Sequence, residues 1–373
     1  MTIAEKERMN DSIDGKNPGE QYGYLLVHFI ENALGHTERV YMDLSDGDDP
    51  RHWIPLKGGE PILSSELGTK GVRDPHIVRN PDTGMWYIVA TDLRVMGDGN
   101  GSGSDTDWHY WSHHGSTDLI VWQSPDLVHW SEARTLDVSR KPDGGHLELG
   151  MAWACECLWV PDYYPEDHDG GRGAFVMYWS SKLFADDDPG HESDDVHDRV
   201  LWGVTRDFTQ DTYEYGGVFV DTGTNSIDTT MIQRELPNGT KRTYRITKDN
   251  GTGKADGSGE GIGMESTDAE RWWEPGTVWT RVQTHIGECY SDGHGVEGPA
   301  VFANHHNDGG ANDEWYLFVD VIPSIGYRPM ISNDLDAGWR PLDDPEFSLA
   351  PHTKHGGVVS LTRAEYERLS ALR

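Results

Sequence analysis

Five times along this chain a run of apolar and aromatic residues is followed by a turn of the pattern Ser/Thr-x-Asp, or Ser-Asp-Gly-Asp in the first copy, with an aromatic residue a few positions later. The copies are Ser45 to Trp53, Ser124 to Trp130, Thr205 to Tyr213, Ser266 to Trp272 and Ser332 to Trp339. In the second to fifth copies the Asp falls at 126, 207, 268 and 334, and strand-like units recurring on such a scale mark repeat architectures. Five units of this size predict an all-β fold, a five-bladed β-propeller. A propeller grows by adding blades, so 373 residues need no second domain. Residues 1–20 read as an N-terminal extension and residues 21–373 as one propeller.

Apolar runs place strands at Tyr24 to Phe29, Val40 to Leu44, Pro75 to Val78, Trp86 to Ala90, Leu158 to Val160 and Phe175 to Ser180. Others follow at Asp228 to Ile232, Thr243 to Thr247, Pro299 to Phe302 and Trp315 to Val321. The first unit lacks an innermost strand, and Gly357 to Thr362 is left over at the other end of the chain. Pairing that C-terminal strand into the N-terminal blade would close the ring and remove two sheet edges. With 44 Gly and 19 Pro, tight turns dominate, and helix is expected only at Thr2 to Met9 and Arg363 to Leu372. The Gly/Asp-rich stretches Gly97 to Gly115, Ala185 to His197 and Asp249 to Gly263 read as surface loops on the rim.

A formal charge of −33 repels phosphate backbones, so no nucleic-acid partner is expected; a neutral or polar small substrate is compatible with it. The N-terminus has no apolar h-region and no stretch approaches about 18 apolar residues. No membrane association is expected, and the expected location is the cytoplasm. Cys155, Cys157 and Cys289 have no CxxC spacing and read as buried thiols. His109, His113 and His114 have no ligand spacing on a predicted element and read as part of a solvated loop.

Three blades begin with a carboxylate at the head of an apolar strand: Asp74 in GVRDPHIVR, Asp228 in NSIDTTMI and Glu297 in HGVEGPAVF. Innermost strands line a propeller's axis, so acids at equivalent strand starts are expected to converge on one mouth of the central channel. A plain turn would explain one Asp-Pro; the repeat pattern does not by itself require three acids in register.

The order Arg73-Asp74-Pro75, Trp86-Tyr87-Ile88, Ile227-Asp228 and Glu297-Gly298-Pro299, with Trp153-Ala154 in the intervening blade, resembles glycoside hydrolase family 43. The resemblance covers roughly Tyr24 to Thr362, and Glu-Gly-Pro is its most specific element. It implies a five-bladed propeller that hydrolyses glycosides, with Asp74 as general base, Glu297 as general acid and Asp228 as the modulator that orients and tunes the acid. Inversion fits such a set. A protonated carboxyl serves the leaving oxygen while an ionised one, roughly 6.5–9.5 Å away, activates water; a charged Asp228 would raise the pKa of Glu297. The Gly-Val-Arg-Asp-Pro run and the turn Gly326 to Leu335 are similar to the exo-acting α-L-arabinofuranosidases of the family. An oligosaccharide substrate with terminal α-L-arabinofuranosyl groups is therefore expected, with β-xylosides and galactosides as alternatives.

Arg73-Asp74-Pro75 and Cys155-Glu156-Cys157 also resemble the fructosidases of family 32, in which Glu156 would be the acid, but no Asn-Asp-Pro-Asn-Gly nucleophile element is present; Glu31 and Asn32 are the only early candidates. Glu156 is retained as a pocket residue. A carbohydrate-binding propeller without catalysis is the remaining reading. Trp153 either stacks on a sugar face or packs between blades. Arg328 either binds substrate hydroxyls or a catalytic carboxylate, or forms a structural salt bridge. No cofactor is required; the resemblance places His355 near an axial calcium or sodium ion, held through water, with a packing role as the alternative.

Overall fold

The computed structural model describes residues 19–30, 38–95, 107–252, 259–292, 294–323, 325–345 and 347–373. The helix expected at Thr2 to Met9, the pair Glu31 and Asn32 and most of the stretch from Gly97 lie outside them. The described strands form five four-stranded antiparallel sheets, the blades of a propeller. Blade 1 orders β20 (Gly356–Thr362), β1 (Gln21–Ile30), β2 (Arg39–Asp46) and β3 (Asp49–Pro55) from axis to rim. Blade 2 is β4 (Val72–Arg79), β5 (Trp86–Asp92), β6 (Asp118–Ser124) and β7 (Arg134–Asp137). Blade 3 is β8 (Trp153–Val160), β9 (Ala174–Lys182), β10 (Asp198–Thr205) and β11 (Glu214–Val220). Blade 4 is β12 (Ser226–Glu235), β13 (Lys241–Asp249), β14 (Gly261–Thr267) and β15 (Thr280–Ile286). Blade 5 is β16 (Gly295–Ala303), β17 (Trp315–Ile322), β18 (Gly326–Ser332) and β19 (Arg340–Pro341).

Closure is as expected: β20 pairs with β1 from His28↔Gly356 to Gln21↔Thr362. Every strand predicted from the apolar runs lies within an observed one. Each Ser/Thr-x-Asp turn joins the third strand of a blade to its outermost one, and the hydroxyl is buried. Those hydroxyls satisfy turn amides, as where Ser124 Oγ accepts from Leu127 N–H at 2.9 Å and Thr205 Oγ1 from Phe208 N–H at 2.9 Å. A buried amide left unpaired is costly, which explains why this residue type recurs.

The core is five slabs, one between each pair of neighbouring blades. Side chains alternate faces along a strand, so Leu25 and Val27 pack against blade 2 while Tyr24 and Leu26 pack against blade 5. In the same way Trp86, Ile88 and Ala90 face blade 1, and Tyr87 and Val89 face blade 3. Two helices are described. The helix α1 (Trp108–His114) is capped by Asp107, whose side chain accepts from Tyr110 N–H. The helix α2 (Arg363–Ser370) starts from a capping box of Thr362 and Glu365 and packs Tyr366 against blade 1. The first corrects the loop reading of Trp108–His114. Of the cysteines, Cys155 and Cys157 are buried as expected, but Cys289 is exposed because it lies on the short turn Glu288–Tyr290 between β15 and β16.

The closing strand makes a direct prediction. Leu361 on β20 is fully buried between blades 1 and 2, so Leu361→Ala should lower stability by about 2–5 kcal/mol. Val278, 79% exposed, should tolerate alanine without measurable change. Urea denaturation of both variants checks this; equal midpoints would show that closure contributes nothing.

Candidate active site

The N-terminal ends of all five innermost strands line one cavity of about 1380 Å³, through Asp74, Trp153, Asp228 and Glu297 and through His355, which immediately precedes β20. The backbone at these strand heads is unusual. The pairing of β4, β8, β12 and β16 with their neighbours slips between Arg73 and His76, Trp153 and Glu156, Ile227 and Thr230, and Glu297 and Ala300. The second residue of each bulge has a left-handed φ: Asp74 at 50°, Ala154 at 49°, Asp228 at 51° and Gly298 at 53°. Counted on the bulge, Asp74 and Asp228 are equivalent. Glu297 is not in register with them: it sits one residue earlier, at the position of Arg73, Trp153 and Ile227, and Gly298 occupies the left-handed place.

The bulges are tied to one another around the ring. The Thr91 hydroxyl donates to Asp74 Oδ2 at 2.8 Å and accepts from Ala154 N–H at 2.8 Å. Ser180 Oγ, on the next blade, accepts from Asp228 N–H at 3.1 Å, and Asp228 Oδ2 accepts from Gly298 N–H at 3.1 Å. The carboxylate of Asp228 thus holds the backbone beside Glu297.

His355 lies among the acids, with Nδ1 3.5 Å from Asp74 Oδ1 and Nε2 4.0 Å from Glu156 Oε1. Burial opposes its charge, but the hydrogen bond to Asp74 and the charges of Asp228, Asp74 and Glu156 outweigh that and push its pKa up to about 10. Burial raises the Asp74 carboxyl, yet His355, Arg73 and the Thr91 hydroxyl more than offset it, so Asp74 is held below the usual carboxylate range. Burial also raises Asp228; His355 opposes the shift, Glu297 and Asp74 add to it, and its pKa is pushed up to about 7. Burial and the neighbouring acids thus oppose the expected negative charge on Asp228. Burial pushes Glu156 up to about 8 against the pull of His355 and the Thr230 hydroxyl, which donates to its Oε2 at 2.8 Å.

The axial calcium or sodium ion expected near His355 would be held through water and not by the ring itself. Both ring nitrogens face carboxylates and the ring carries the positive charge itself. Among the described residues, His355 belongs to no group of donors close enough to share an ion.

Trp153 lines the cavity, edge-on to Trp108 of α1 at 6.1 Å between ring centroids. Two other expectations are corrected. Glu156 is buried on the axis behind His355 and is not among the cavity-lining residues, because it follows the bulge by two positions and points to Thr230 of the next blade. Arg328 is exposed on β18, two strands away from the axis, where its guanidinium donates to Tyr327 O at 2.9 Å. The sequence reading missed three contributors. Arg73 stacks its guanidinium over Phe29 and Trp108, 4.7 and 5.5 Å from the ring centroids. Lys354 and Asp320 form a buried pair at 3.1 Å in the cavity wall. A lone acid in the apolar run WYLFVDVI was the available signal for that pair, since a buried charge needs a partner.

The sequence pattern of a family described as "Probable glycosyl hydrolase domain", related to glycoside hydrolase family 43, matches residues 20–367. This chain belongs to that family. It is 24% identical over 371 residues to an alpha-L-arabinofuranosidase of Bifidobacterium longum subsp. longum, covering 92% of this chain and 30% of that protein's length. Among solved structures, a thermostable family-43 glycoside hydrolase is similar over 77% of both chains, at 15% identity and a TM-score of 0.46. An alpha-L-arabinofuranosidase from Lactobacillus brevis is similar over 73% of this chain and 72% of its own, at 15% identity and a TM-score of 0.43.

The shift of His355 fixes the sign of a stability change with pH. Folded protein keeps the His355 proton up to about pH 10, whereas an unfolded chain releases it near its ordinary value of about 6.5. This contribution is fully present below about pH 6.5 and is lost as pH rises towards 10. Replacing His355→Gln should destabilise most at pH 6, and the gap to wild type should narrow by pH 10. Denaturation at pH 6, 8 and 10 tests this, and a pH-independent gap would show that the imidazolium is not what matters.

Proposed function

We propose that this protein is an inverting exo-glycosidase that removes terminal α-L-arabinofuranosyl groups from oligosaccharides. The observation that carries the proposal is the meeting of Asp74, Asp228 and Glu297 at one cavity, with Asp74 and Asp228 aimed by equivalent left-handed bulges. Family membership supports glycoside hydrolysis, and the named relative supports the arabinofuranosyl group.

In the proposed reaction, Asp74 is the general base. Its depressed pKa keeps it ionised at neutral pH, so it can accept a proton from water as the water oxygen attacks the anomeric carbon. The bond from that carbon to the leaving oxygen breaks, and Glu297 gives its proton to that oxygen. The products are the free sugar, inverted at the anomeric carbon, and the shortened alcohol; solvent returns the proton from Asp74 to Glu297. Asp228 positions this acid through Gly298 N–H, and its proton near pH 7 limits the negative charge beside it. Arg73, Phe29, Trp108 and Trp153 offer apolar and cationic surface for the sugar faces at the cavity wall.

The two roles separate by leaving group. On an alkyl arabinofuranoside, Asp74→Asn and Glu297→Gln should each lose about 10²–10⁴ in kcat/KM. On a dinitrophenyl arabinofuranoside, whose leaving oxygen needs no proton, Glu297→Gln should recover most of its rate while Asp74→Asn stays inactive. Initial-rate assays read the split, and time-resolved proton NMR reads the product anomer. Equal recovery in both variants, or a retained anomer, would overturn the assignment. Turnover confined to an aryl β-xyloside or β-galactoside would keep the mechanism and change the sugar; turnover confined to an aryl β-fructofuranoside would move the acid to Glu156.

A further inference from the structure

At the rim of the cavity, two segments that the mechanism does not use bring nitrogen and oxygen donors together. His109 and His113 are four residues apart on α1 and so share one face of the helix. Asp194 comes from the β9–β10 connection. One ligand atom of each lies within 4.8 Å of the other two, and all three side chains line the cavity.

The local hydrogen bonding prepares this set for a metal. His113 is buried, and its Nδ1 donates to His109 O at 2.8 Å. This leaves Nε2 as the nitrogen with a free lone pair, and among the described residues it has no hydrogen-bond partner. A ring N–H held by a carbonyl while the other nitrogen stays open is the outer-shell arrangement typical of metal-bound histidine. Asp194 Oδ1 accepts from His109 Nε2 at 2.9 Å, so the third donor is already drawn to the pair. The His109 and His113 rings stack nearly parallel, 3.9 Å apart, so the His109 ring has to turn for both to reach one ion. The His109 side chain is 64% exposed and that of Asp194 83% exposed, so both can turn to bring their donor atoms onto a common ion. The nearby ammonium of Lys182 is engaged by Val196 O at 2.6 Å and by Asp198 at 3.0 Å, which keeps it from competing for Asp194. The connection is docked on the helix from its other side, where His191 Nδ1 donates to His113 O at 2.6 Å.

We propose that His109, His113 and Asp194 bind one divalent transition-metal ion of the zinc class, and that the ion staples α1 to the β9–β10 connection at the cavity rim. Two imidazoles and one carboxylate suit zinc, cobalt or nickel and not calcium or magnesium, which prefer all-oxygen shells. The coordination positions not filled by protein face the cavity and take water. The site differs from the axial position beside His355 in both residues and ligand chemistry, and it does not depend on the proposed glycosidase reaction.

Untagged protein stripped with a chelator and titrated calorimetrically with zinc chloride tests this, with cobalt(II) absorption as a second readout. Wild type should show a saturable event that calcium chloride does not reproduce. His109→Ala and Asp194→Asn remove exposed groups, so the fold should survive. Each should weaken the event by more than about tenfold, because even an outer-shell loss can cost that much. A second group, Asp48 with His305 and His306, is also close enough to hold an ion; His306→Ala should leave the event unchanged. Zinc should also slow proteolysis within residues 185–197 of wild type but not of His109→Ala. No saturable event, equal affinity in His109→Ala and wild type, or loss of the event in His306→Ala would overturn the site. Unchanged proteolysis with zinc bound would overturn the staple.

Discussion

One left-handed residue at the head of four innermost strands is the constraint on which the mouth of this propeller depends. A strand without a bulge alternates its side chains between the two neighbouring blades and offers the axis little but backbone. The slip at Asp74, Ala154, Asp228 and Gly298 breaks that alternation, and Asp74 and Asp228 then line the cavity. Holding a non-glycine residue in this region costs about 1–3 kcal/mol, so the arrangement needs support from outside each strand. That support comes from the preceding blade: Thr91 accepts the Ala154 amide, Ser180 the Asp228 amide and Asp228 the Gly298 amide. The third link uses a cavity acid in the place where the first two use hydroxyls, so positioning and chemistry share one side chain.

Such links hold only if the blades keep their relative places, and this is the work of the five slabs between them. Each slab needs a blade on both sides, so an open ring would leave the surfaces of Tyr24 and Leu26 facing water. Pairing β20 with β1 closes the ring with a strand from the far end of the chain. It also delivers His355, one residue before β20, to the axis. Ring closure and the placement of the central cation are one event.

Much of this was legible in the sequence, and the misses have physical causes. Strands and blade turns were readable because alternation and the buried Ser/Thr hydroxyl repeat in every blade. Asp74, Asp228 and Glu297 were readable as a group that converges on one mouth, but their register was not, because a bulge shifts side chains without changing the apolar pattern. The signal lay in residue type: Gly and Asp tolerate left-handed φ best, and aligning Gly298 with Asp74 and Asp228 would have set Glu297 one place early. Trp108–His114 escaped because a helix of two turns leaves no periodicity to read. Arg328 was misplaced because a sequence motif says which strand carries a residue, not how far that strand lies from the axis.

The electrostatics of the axis then follow from packing several acids into little space. Asp74, Glu156, Asp228, Glu297 and Asp320 gather around the axis with His355, Lys354 and Arg73 as the cationic groups near them. Five charges against three would be costly in a site shielded from water. Burial raises Asp228 to about 7, Glu156 to about 8 and Asp320 to about 6 despite their cationic neighbours, while at Asp74 His355, Arg73 and the Thr91 hydroxyl outweigh burial and hold the carboxyl below its ordinary value. The negative charge gathered around His355 is thereby reduced, in a chain that carries −33. A reduced charge around the axis lowers the desolvation cost of an uncharged polar ligand there. The same environment holds Asp74 low and Asp228 high within one mouth, and Asp74 owes that difference to His355, Arg73 and the Thr91 hydroxyl acting together.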